Sequence, residues 1–84
     1  MELNQRLKEL RLNIDKIDLE LKSLLEERVR VCIEVAHVKD QLNLPITNSN
    51  REDMVLKRAR PFEQVFKEII SICKRTEREV PKND

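Results

Sequence analysis

The 84-residue sequence has no glycine, tryptophan or tyrosine, and only three prolines and two phenylalanines. Without glycine a chain has few low-cost routes through tight turns, so it is expected to run in long helices joined by few loops. Two phenylalanines provide little for base stacking, and acids and bases interleave to a net charge of +1, a pattern that argues against a nucleic-acid footprint. Two cysteines are no disulfide framework, and no Cys/His spacing suggests zinc or another metal. A long apolar run is missing as well. The first residues, MELNQRLKEL, are already charged, so neither a secretory leader nor a membrane span is expected. These absences leave one domain over residues 1–84, near the lower size limit for a self-sufficient core, and a reduced, soluble, cytoplasmic protein.

Leu, Glu, Lys, Arg and Ile supply much of the sequence, which favours an all-α fold. Leu3, Leu7, Leu10, Ile14, Ile17, Leu21 and Leu24 alternate steps of four and three, and after Arg28 the pattern resumes at Val31, Val35, Val38 and Leu42. This heptad seam predicts a helix over about residues 3–42, roughly 60 Å long. A compact chain of this size is only about 25–30 Å across. The helix must therefore project from its own domain, and its seam needs a partner; a homodimer is the economical solution.

Pro45 breaks this helix. Asn48, Ser49 and Asn50 are all good N-caps, and Ser49 with Glu52 has capping-box spacing, so a short helix is expected over about residues 49–59. Met54, Val55 and Ala59 form its apolar face. Pro61 suits the first turn of a third helix over about residues 61–79. Phe62, Val65, Phe66, Ile69, Ile70 and Cys73 form its buried face, and Pro81 with the polar KND tail ends it. Cys32 and Cys73 read as small fillers on apolar faces.

Arg28 occupies a seam position, four residues after Leu24 and three before Val31. Lys39 follows eleven residues later, close to three full turns, so the two cations share a face about 16 Å apart along the axis. Arg11 lies about 25 Å before Arg28 and cannot share a small ligand with it in one subunit. In an antiparallel dimer, the partner's copy of Arg11 meets Arg28. A buried cation is costly without an anion, and a small dianion would satisfy all three. Taken one at a time, Arg28 also fits a register-setting ion pair with a carboxylate such as Asp18 or Glu20 of a neighbouring chain, or a place where the seam opens to water, and Lys39 and Arg11 fit solvated surface positions.

The stretch LRLNIDKIDLELKSLLEERVRVCIEVAHVK, followed by LPITNSNREDMVLKR and VFKEIISICKRTE, resembles the all-helical class of chorismate mutases over nearly the whole chain. The resemblance implies three helices per subunit in an intertwined homodimer with shared active sites. It also implies the Claisen rearrangement of chorismate to prephenate, a unimolecular step in phenylalanine and tyrosine biosynthesis that needs no cofactor and no metal. Carried over by position, Arg28 clamps one substrate carboxylate and Arg11 of the partner clamps the other. Arginine suits that task through its planar, permanently charged fork. Lys39 donates to the ether oxygen and a carboxylate. Arg51 and Glu52 match the family's R-E pair, Glu52 accepting from the ring hydroxyl, with Asn48 at the turn where Asp is common.

Three features depart from that pattern. Cys73 stands where a serine commonly helps hold a carboxylate. Glu77 stands where glutamine commonly donates to the ether oxygen; an ionised Glu77 cannot donate, so activity is expected to need its protonated form. The chain between Arg58 and Phe66 is about three helical turns shorter than in comparable members, with the second and third helices joined directly at RARPFE. Two other readings use the same residues. One is an isochorismate–pyruvate lyase of the same fold, against which Glu52 speaks. The other is a non-catalytic helical dimerisation module in which the cations only set register.

Overall fold

The computed structural model describes residues 2–80. Three helices account for nearly all of them: α1 over Glu2–Gln41, α2 over Ser49–Arg58 and α3 over Glu63–Glu79. The expected all-α architecture and the order of its helices are therefore observed. The tail from Pro81 onward lies outside the described residues.

Without glycine, each turn is made by other means. The end of α1 is closed by Asn43, which takes the left-handed conformation (φ 58°) usually given to glycine. The Leu44 amide donates to the Lys39 carbonyl (2.8 Å) and the Asn43 amide to that of Asp40 (3.1 Å), the two bonds of a Schellman motif. Asparagine tolerates this conformation better than most residues do. Asn43 thus stops the helix two residues before Pro45 is reached.

Asn48, not Ser49, caps α2: its side-chain oxygen accepts from the Arg51 amide at 3.1 Å. The Ser49–Glu52 capping box is not formed, because Ser49 is already the first helical residue. Pro61 does not open α3 either. The Arg60–Pro61 peptide is cis, Pro61 lies in the turn, and α3 starts two residues later at Glu63. The Phe62 amide donates to the Ala59 carbonyl (2.7 Å), so four residues suffice to join α2 to α3.

Among the described elements, α3 is the one packed against both others, gripping the C-terminal half of α1 on one side and α2 on the other. The N-terminal half of α1 extends alone. The molecule measures 65 × 25 × 13 Å with a Cα radius of gyration of 17.7 Å, against about 12 Å for a compact chain of this length.

Burial tells the same story. Among the described residues the buried apolar side chains are Ala36, Val55, Ala59 and Cys73, all small or medium-sized, and no large side chain is fully enclosed. Every apolar residue of the seam, from Leu3 to Leu42, is exposed. Met54, Phe62 and Val65, expected on buried faces, are more than half exposed as well, because α2 and α3 cover only one side of each other. An amphipathic helix draws most of its stability from the burial of its apolar face, and this subunit leaves most of that face in water.

Candidate active site

The site forms where the C-terminal half of α1 faces α3. Residues four apart on a helix share a face, and Cys73 and Glu77 are so placed on α3. Arg28 and Lys39 lie close to three turns apart on α1. The two pairs meet in order: Arg28 Nη1 donates to Cys73 Sγ at 2.8 Å, and Lys39 Nζ lies 3.7 Å from Glu77 Oε2. Their matching order along both helices means that α1 and α3 run in the same sense. The long cationic side chains lean toward each other and close a gap that the backbones leave open.

A cleft of ≈ 330 Å³ lies between these contacts and the start of α2. Arg28, Lys39, Asn48, Arg51, Glu52, Cys73 and Glu77 all line it. Seven of the eight expected site residues are thus gathered from three helices and one loop. The eighth, Arg11, is exposed on the free half of α1, on the same unbroken helix as Arg28 and far from this cleft. One subunit alone does not bring it to the site.

Each cation has an identifiable hold. Lys39 Nζ donates to the Ile46 carbonyl at 2.7 Å, which ties the loop after α1 to the cleft floor. Arg28 Nη1 also approaches Cys32 Sγ at 3.8 Å, so the two cysteines share one guanidinium, while Cys73 also serves as one of the small buried side chains of the core, as expected. Sulfur is a weak acceptor. A carboxylate entering the cleft therefore replaces these contacts with stronger, charge-assisted ones. Burial, reinforced by the neighbouring Cys73 thiol and only partly opposed by Arg28, pushes the Cys32 thiol up to about 12. Cys32 is therefore neutral at physiological pH and a poor nucleophile.

Glu77 is the buried charged residue of this face, 8% exposed, and its Oε2 has no hydrogen-bond partner despite the nearby lysine. A buried polar atom left without a partner is uncommon and calls for an explanation. Glu52 does not turn back to cap its own helix; Lys74 holds its Oε1 at 2.9 Å. Lys74, Cys32, the Ile46 carbonyl and the apolar Val31, Val35, Val55 and Ile70 are the site features that sequence reasoning missed. Lys74 directly follows Cys73 and precedes Glu77 by three, so its place on the same helix face was a readable signal.

Fold and cleft together define a class: a small helical chain carrying a cation-rich pocket between its three helices. Comparison with known proteins then gives the family. The chorismate mutase type II family matches residues 10–64, and the chain belongs to that family. A protein of Methanocaldococcus jannaschii named chorismate mutase is 38% identical over 56 residues, covering 67% of this chain and 57% of that protein. A bifunctional chorismate mutase/prephenate dehydratase of Aquifex aeolicus is 30% identical over 90 residues, covering 90% of this chain and 25% of that protein.

A protein of Pyrobaculum aerophilum named 3-dehydroquinate dehydratase is 38% identical over 65 residues, 77% of this chain and 22% of that protein. The chain thus spans between about a fifth and three fifths of the curated relatives it matches. Among solved structures, a conserved hypothetical protein from Pyrococcus furiosus superimposes with a TM-score of 0.83 at 41% identity. That match covers 84% of this chain and 93% of the other. Among the described residues no helix is long and apolar enough to cross a membrane.

Proposed function

We propose that the chain is a chorismate mutase, acting as an intertwined homodimer that converts chorismate to prephenate in the cytoplasm. The observation that carries this reading is the gathering of Arg28, Lys39, Arg51, Glu52 and Glu77 around one cleft from three helices. The rearrangement is unimolecular and needs neither nucleophile nor cofactor. Its barrier falls when a dicarboxylate is held compactly and the charge developing on the breaking ether bond is stabilised.

In this reading Arg28 binds one substrate carboxylate, giving up two weak sulfur contacts to do so. Arg11 of the partner binds the other, and Arg51 adds a third cation at the mouth. Lys39, anchored by the Ile46 carbonyl, presents its ammonium to the ether oxygen. Glu52 accepts from the ring hydroxyl. Asn48 sets the turn from which Arg51 and Glu52 project. Cys73 helps align Arg28.

Glu77 is the second ether-oxygen ligand, and only its protonated form can donate there. Its buried Oε2, 3.7 Å from the Lys39 ammonium but without a hydrogen-bond partner among the described residues, supports that reading. Glu77→Gln, which always carries a donor, is therefore expected to keep or raise kcat, whereas Glu77→Ala, which carries none, lowers it. Initial rates of the three proteins at one fixed pH measure this; a Glu77→Ala protein as fast as the wild type removes Glu77 from the site.

The assay that tests the function itself supplies chorismate and, separately, isochorismate to the purified protein. Prephenate from the first is the expected result. Salicylate with pyruvate from the second identifies a lyase instead, and no conversion of either leaves the dimerisation module.

A further inference from the structure

Glu52 poses a problem for a site that binds a dianion. A carboxylate in the same cleft repels the substrate, and a glutamate side chain has several rotatable bonds to fix before it can accept a hydroxyl in a defined place. Immobilising such a side chain forfeits much of its rotamer freedom. The helix cap does not hold it, because Asn48 takes that position and leaves the Glu52 side chain free.

Lys74 solves both difficulties. Its Nζ lies 2.9 Å from Glu52 Oε1, a charge-assisted contact between α3 and α2. Lys74 is 23% and Glu52 25% exposed, so the pair is partly shielded from water, and both line the cleft with Arg28, Lys39 and Arg51. A carboxylate has about four acceptor sites on two oxygens. Lys74 engages Oε1, which leaves Oε2 for a ligand.

We infer that Lys74 is a positioning residue for Glu52, holding its carboxylate in place and neutralising it so that a dianionic substrate is not repelled. This rests on the chorismate mutase reading of the cleft, in which Glu52 accepts the ring hydroxyl. Because that hydroxyl is not among the reacting atoms, Lys74 acts on binding rather than on the chemical step. Its removal therefore raises KM and leaves kcat nearly unchanged.

The test is steady-state kinetics on chorismate with the full chain. Lys74→Met keeps the aliphatic stem and removes the charge, and is expected to raise KM by about tenfold. Lys74→Arg is expected to recover most of that loss. In a Glu52→Gln or Glu52→Ala background the same Lys74→Met change is expected to alter KM by less than about twofold, since there is no carboxylate left to hold.

Equal losses with and without Glu52 mean that Lys74 touches substrate itself, which overturns the inference. So does a lowered melting temperature with unchanged KM, the mark of a purely structural link between α2 and α3. A wild-type protein that leaves chorismate unconverted rejects the enzymatic reading on which the inference rests. Unchanged kinetics in Lys74→Met beside an active wild type reject the inference alone.

Discussion

Arg28→Ala is expected to lower kcat/KM for chorismate by roughly thirtyfold to a few thousandfold and to leave the helical content intact. The size follows from what the guanidinium replaces on binding. In the free protein its partners are two sulfurs, at 2.8 and 3.8 Å, which are weak acceptors. In the proposed mechanism substrate exchanges them for a carboxylate in a partly enclosed cleft. Truncating one partner of such a charge pair costs about 2–5 kcal/mol, and each 1.4 kcal/mol is about tenfold in rate. Stability moves the other way or not at all. A charge at a seam position is unfavourable to assembly, so the alanine variant is expected to match or slightly exceed the wild type in melting temperature. Parallel kinetics and circular dichroism check both halves of this result. An inactive variant that has also unfolded does not support the clamp.

Ile17→Asp has the larger structural effect. Ile17 is at the centre of the free half of α1 and is 53% exposed within one subunit. Nothing in its own chain covers it, so a charge there costs the subunit little. Across a dimer seam the same change removes a buried aliphatic group and buries a carboxylate, about 3–5 kcal/mol for each subunit. A symmetric dimer contains the site twice, so the loss doubles. The expected result is dissociation, accompanied by loss of helix, because four small or medium apolar side chains are too little core for a folded monomer. Sedimentation equilibrium and far-ultraviolet circular dichroism measure it. An Ile17→Asp protein that keeps the wild-type mass and helicity means that the seam is not the interface.

These two results rest on different parts of the sequence, and those parts were legible to different degrees. The seam of α1 was plain, since eleven apolar residues at heptad spacing admit one secondary structure. Its observed exposure follows directly from its length. The gathering of Arg28 and Lys39 was readable from spacing alone, because eleven residues are near three turns of helix. The approach of Cys73 and Glu77 to those cations was not, since nothing local sets the register of α3 against α1. Family resemblance supplied those positions.

The connections were read less well. Three adjacent residues, Asn48, Ser49 and Asn50, are all competent N-caps, and local propensity does not rank them; the choice of Asn48 freed the Glu52 side chain for Lys74. Pro61 fits a first helical turn in principle, but joining α2 to α3 in four residues requires it in the turn itself. The missing glycine did predict few turns. It did not show that Asn43 would take over the left-handed position at the end of α1.

The central claim is that each active site joins Arg28 of one subunit to Arg11 of the other, and subunit mixing tests it most directly. Arg11→Ala and Arg28→Ala homodimers should each be nearly inactive, since each lacks one carboxylate clamp in both sites. Unfolded together and refolded, they re-pair at random, and half of the dimers are mixed. A mixed dimer has one site with both arginines and one with neither, so activity should return to about a quarter of the wild-type value. If the mixture stays as inactive as its components while forming mixed dimers, the two arginines do not meet across the subunit boundary, and the shared site is contradicted.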